Sequence, residues 1–106
     1  MTEKKEEQNV IRMILPDLGF VVHHTGYRLL CAAVPEYARN PGVSMTKELY
    51  PTLKRICPCN AEAAIRRSIR YAWEHGRREA WKTYFPNCTD CPSNLTFIAA
   101  MSEYVR

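Results

Sequence analysis

The chain has 106 residues, 46% of them hydrophobic and 25% charged, which suits one globular domain with one modest core and excludes a disordered chain. No apolar run approaches the ~18 residues of a membrane span, and the N-terminus lacks the hydrophobic stretch of a secretory signal, so a cytoplasmic protein with no membrane partner is expected. The net charge of +4 is mild but unevenly placed: Glu3, Glu6, Glu7, Asp17 and Glu36 fall early, whereas basic residues crowd between Lys54 and Lys82.

Met1 to Gln8 is charged and has no apolar period, so it reads as a flexible arm ahead of a domain over 9–106. Beyond it, apolar residues recur at helical spacing and almost nowhere alternate, which predicts an all-α bundle of about six helices. The first helix is expected over Asn9 to Leu18, with Gly19 closing it and Pro16 distorting its last turn. The second runs from Gly26 to Ala38 and ends in the turn Asn40-Pro41-Gly42. A third starts at Ser44 or Thr46 and buries Leu49, Leu53 and Ile56, with a kink at Pro51. After the connector Cys57-Pro58-Cys59, the clearest helix spans Asn60 to His75 and stops at Gly76. A fifth, Arg77 to Phe85, carries Trp81 and Tyr84. Pro86 to Pro92 is a loop, and Ser93 caps a last helix to Val105 that buries Phe97, Ile98, Met101 and Val105.

The Asn60–His75 helix carries the chemistry. At about 100° per residue, Ala61, Ile65, Ile69, Ala72 and Trp73 share one face. Ala63, Arg66, Arg67, Arg70 and Glu74 share the other, with Glu62 at the margin. Arginine presents a planar fork of donors that matches guanine O6 and N7, and glutamate accepts from the cytosine amino group. Ala63 leaves room for the helix to approach bases. A preceding helix and a tight connector give a helix-turn-helix layout. The base-reading candidates are therefore Glu62, Ala63, Arg66, Arg67 and Arg70. Lys54, Arg55, Asn60, Arg77, Lys82 and His23 are the candidates for backbone phosphates. The plainer alternative is a solvated face on which Arg66 and Arg70 pair with Glu62 and Glu74.

Several segments in order carry a family resemblance. AIRRSIRYAWEHG (Ala64 to Gly76) resembles the recognition helix of the C-terminal effector domain of the sporulation initiation response regulator, the master regulator of endospore formation. LGFVVHHTGYRLL (Leu18 to Leu30), TKELYP (Thr46 to Pro51) and PSNLTFIAAMSEYVR (Pro92 to Arg106) resemble its entry, the start of its helix-turn-helix and its last helix. The resemblance covers nearly everything past Val10. It implies a six-helix domain that binds a short duplex box, often as a tandem homodimer, to activate or repress transcription, with RNA polymerase as a further partner. It also implies DNA contacts at Glu62, Arg66 and Arg67. Two features depart from it: Ala63 stands where the family has arginine, and the segment from Tyr50 to Asn60 is shorter. No aspartate-bearing receiver accompanies the domain, which reads as either an excised effector or a stand-alone relative.

Other readings stay open beside this one. The domain could be a receiverless interaction module that pairs with a full-length regulator through its last helix, at Met101 and Tyr104. Cys57, Cys59, Cys88 and Cys91 would form a zinc site only if the connector met the late loop; otherwise they are reduced thiols, with Cys31 in the core. No cofactor is expected. His23 and His24 lack a nucleophile or an orienting partner, and no Gly-rich phosphate loop or paired carboxylates are present, so no enzyme activity is expected. Trp73, Trp81, Tyr84 and Phe85 are expected in the core rather than as a base-stacking platform.

Overall fold

A computed structural model of the chain describes the backbone of residues 2–105 and the side chains of residues 9–105. Every regular element among the described residues is helical, with no strand. The helices are α1 (Thr2–Leu18), α2 (Thr25–Arg39), α3 (Tyr50–Leu53), α4 (Ala61–His75), α5 (Arg78–Tyr84) and α6 (Asn94–Ser102). A π-helical turn, Met45–Leu49, runs directly into α3.

α1 begins at Thr2, ahead of the expected Asn9; the side chains of Met1 to Gln8 lie outside the described residues. Its end follows the sequence signal. Gly19 takes a φ of 106° that side chains disfavour, Phe20 N–H donates to Leu15 O and Gly19 N–H to Pro16 O. That paired bonding is a Schellman closure, and it satisfies the Leu15 and Pro16 carbonyls that the helix end would leave open. Phe20 then enters the core.

α2 is the central element and packs against α1, α4 and α6. Its Leu29, Leu30, Ala33 and Val34 are fully buried, as are Ile65 of α4 and Phe97 and Ile98 of α6. Burying a side chain of that size stabilises the fold by about 1.5–3 kcal/mol. α5 lies on α1 and contributes Trp81, whose indole N–H donates to Ala72 O at 3.2 Å. Phe20, Trp81, Phe85 and Phe97 form one aromatic cluster. Trp73 and Tyr84 pack at its edge. Trp81 and Phe85 are thus core, as their spacing suggests, whereas Trp73 and Tyr84 are only half-buried against it.

The expected third helix is replaced by two pieces. Leu49 N–H and Glu48 N–H both donate to Ser44 O, so the chain widens there from α to π register. Pro51 explains it: its ring would collide with the carbonyl of Lys47 in an α-helix and it brings no N–H of its own. Ser44 caps the turn by accepting from Lys47 N–H at 3.2 Å. Leu49 and Leu53 are buried as expected, but Ile56 is 41% exposed because α3 ends at Leu53 and the periodicity stops with it. Met101 also differs from one expectation. It is fully buried, so it cannot be part of a docking surface on α6.

Two glycines set how closely α4 approaches its neighbours. A Cβ on Gly26 would lie 2.2 Å from Ser68 Oγ and 2.5 Å from Ala64 O, so α2 and α4 meet at their backbones. A Cβ on Gly76 would lie 1.9 Å from Leu18 O, so the end of α4 rests on the end of α1. Gly76 has φ −79°, which any residue adopts, so its requirement is space alone. Gly76→Ala is therefore expected to destabilise the domain by about 1–3 kcal/mol. Urea denaturation checks this, and an unchanged midpoint would show that α1 and α4 separate freely.

Candidate nucleic-acid interface

α4 forms where the sequence places it because its start and stop are local. Asn60 sits in the N-cap position and its side-chain oxygen accepts from Ala63 N–H at 3.1 Å. Glu62 in the first turn suits the positive end of the helix. Ala61, Ala64, Ile65, Ser68, Ile69 and Ala72 form the buried face. Ala61, Ile65, Ile69 and Ala72 are expected there from the helical period; Trp73, expected with them, is only half-buried, and Ala64 and Ser68, which face Gly26, complete the face.

The opposite face is open. The Arg66 and Arg70 side chains are 60% and 63% exposed. Each approaches a glutamate one turn away: Arg66 to Glu62 at 3.5 Å and Arg70 to Glu74 at 3.9 Å. The pairing expected of a solvated face is thus present, at a strength of only about 0.3–0.5 kcal/mol per exposed pair. Ala63 is half-buried between the Arg66 and Arg67 positions. Arg67 is exposed but lies toward α2, beside Ala64 and Tyr71, and lines a pocket with the start of that helix.

The phosphate candidates are spread over several elements. Lys54 follows α3 and lines a groove with Asn60, Ala61 and Glu62 at the N-terminus of α4. Arg55 is exposed next to it, and His23 is exposed in the turn before α2. Asn60 spends its oxygen on the cap. Arg77 pairs with Asp17 of α1, and Lys82 is exposed on α5.

One tie was not anticipated. Asn94, the first residue of α6, donates to Glu62 O at 3.0 Å and to the Tyr50 hydroxyl at 3.1 Å. It links the start of α6 to α3 and to the first turn of α4. Burial raises the Tyr50 hydroxyl pKa above its usual 10.0. The polar type of Asn94 after a cap serine offered no signal for this, because its partners are remote in sequence.

The cysteines do not assemble. Among the described residues no group of three or more His, Cys, Asp or Glu side chains is placed to hold a metal. Cys59 lines the groove at the α4 N-terminus and Cys91 lines another beside Arg66 and Arg70; among the described residues the thiols are not gathered into such a group. All five cysteines are free thiols, and Cys31 is buried in the core.

An all-helical domain that turns an arginine-bearing, N-capped helix outward behind a short helix and turn fits the class of helix-turn-helix DNA-binding domains. The family model described as the C-terminal domain of the sporulation initiation factor Spo0A matches residues 11–105. The chain belongs to that family, a DNA-binding effector domain of transcription regulators and not an enzyme family. No described helix is long and apolar enough to cross a membrane.

The buried thiol yields a pH prediction. Burial, the largest influence, pushes Cys31 above its ordinary 9.0, with Arg12 pulling the other way. A pKa raised in the folded state stabilises the fold fully below the unfolded value, and that share is lost as pH climbs through the folded one. Tyr27 is raised in the same way, again mainly by burial. The urea midpoint is expected to fall as pH rises above 9.0, and Cys31→Ala should make the fall shallower. An identical slope in the variant would remove Cys31 from the account.

Proposed function

We propose that this domain binds duplex DNA sequence-specifically and regulates transcription of sporulation-type genes, with α4 lying in the major groove. The observation that carries it is the two-sidedness of α4: one face is sealed into the core while Arg66, Arg70 and Glu62 point outward around Ala63. Arg66 and Arg70 would offer paired donors to guanine O6 and N7, and Glu62 would accept from a cytosine amino group. The existing ion pairs do not stand in the way. A bidentate base contact discriminates by about 1–3 kcal/mol, several times the worth of an exposed pair.

Lys54, Arg55 and His23 would hold backbone phosphates beside the groove. Ala63 in place of the family's arginine removes one contact, so the preferred box belongs to this chain. Binding as two copies on tandem boxes, contact with RNA polymerase and a cytoplasmic setting extend the same reading. The competing partner-binding module has less behind it. Met101 is buried, and Tyr104 is engaged with Tyr84, donating to its carbonyl at 2.8 Å and packing edge-on against its ring.

Selection from random duplexes at physiological salt is expected to return a consensus. Arg66→Ala should then cost about 1–3 kcal/mol of binding and relax base choice at one position. No enrichment from the native chain, or native affinity and selectivity in the variant, would defeat the reading.

A further inference from the structure

Where α2 begins, the surface dips into a pocket lined by His24, Thr25, Gly26, Arg67, Ser68 and Tyr71. No carboxylate lines it. α2 is 15 residues long, and its N-cap residue, His24, makes no side-chain cap bond; its first turn holds no acid. The first N–H groups of such a helix lack intrahelical acceptors and form a positive pole.

Ser68 supplies an independent observation. It is 4% exposed, and its hydroxyl has no hydrogen-bond partner among the described residues. Among the described residues no fully enclosed side-chain N or O atom lacks a partner, so this hydroxyl is reached from the pocket that it lines. It faces Gly26 at the helix start, where the missing Cβ leaves the space. A hydroxyl that opens on a pocket and is held by no protein acceptor is free to donate to whatever occupies that pocket.

Arg67 reaches the same pocket and forms no ion pair among the described residues, unlike Arg66 and Arg70. The wall behind it is ordered by rings: His24 meets Tyr71 edge-on, and Tyr71 stacks on His75. A guanidinium, helix N–H groups and hydroxyls, with no competing carboxylate, are the donor set for a tetrahedral oxyanion.

We infer that this pocket is a phosphate site, and that its occupant is a backbone phosphodiester of the duplex flanking the groove that α4 enters. The second part rests on the duplex-binding reading above. Arg67 then positions the domain and reads no base, although its helical register groups it with the readers. The same geometry sets α2 as the element that fixes the depth of α4.

The test uses the full chain, Arg67→Ala and Thr25→Asp. An aspartate in the first turn favours the helix, so Thr25→Asp keeps the fold while repelling an anion; thermal melts verify both variants. Inorganic phosphate, followed by amide NMR, should shift Thr25, Gly26 and Ser68 together in the native chain and not in Thr25→Asp. On duplex, both variants should lose affinity by a similar factor for the selected box and for unrelated sequence. The log–log salt slope of each should shrink by about one. Arg67→Ala relaxing choice at one base would make it a reader and overturn the assignment. Phosphate shifts with native duplex binding in both variants would leave a free-anion site only and overturn the duplex occupant. If the native chain selects no duplex yet the phosphate shifts and their loss persist, the pocket stands and the groove reading fails.

Discussion

The close packing of α4 on α2 decides which side chains this protein can show to a partner. Gly26 lets the two backbones touch, and Ala64 and Ser68 are small enough to lie in the contact. Interiors are packed to crystal-like density, so such a contact tolerates little rotation or lift. Turning α4 by one residue swings every side chain by about 100° and would carry an arginine inward. A buried, unpaired guanidinium costs far more than any single apolar contact returns. The buried face therefore fixes the outward face, and the outward direction of Arg66 and Arg70 follows from Ile65, Ile69 and Ala72 as much as from the arginines themselves.

The two ends of α4 are held by different physics. Both halves bury apolar side chains, and the C-terminal half is held further by its neighbours' contacts: Ala72 O accepts from the Trp81 indole, and Gly76 rests on the Leu18 carbonyl. The first turn, where Glu62 and Ala63 lie, is tied in addition by polar bonds with Asn60 and Asn94. Such bonds are worth about 0.5–1.5 kcal/mol each but are directional. They fix the angle of the first turn without covering it with side chains. The end that must stay open to a partner is thus positioned by bonds that occupy little surface.

Much of this was readable from sequence, and the division has a reason. The bounds of α4, the Asn60 and Ser93 caps and the closure at Gly19 rest on signals within a few residues of each other, and all are observed. The start of α1 was missed because a charged segment carries no apolar stripe even when its backbone is helical. The π-helical turn was missed because Pro51 signals a defect without saying which register absorbs it. Ile56 was misplaced by continuing a period beyond the helix that generated it. The Asn94 tie joins residues far apart in the chain, and the pocket at Ser68 needs α2 and α4 together. Neither follows from a spacing on one helix, which groups Arg67 with Arg66 and Arg70 and says nothing of the pocket it lines.

The glutamates beside the arginines also bear on selectivity. Arg66 and Arg70 each keep an acceptor within reach in the free protein, which lowers the positive potential of that face toward phosphates in general. A base edge with two well-placed acceptors outcompetes one exposed carboxylate, whereas an ill-matched base does not. The weak pairs thus subtract little from a correct contact and more, in proportion, from an incorrect one. Arg67, with no such partner among the described residues, would keep its full attraction for any phosphate. In the proposed binding mode one helix would in this way separate sequence-blind grip from base discrimination, by where its carboxylates stand rather than by how many arginines it carries.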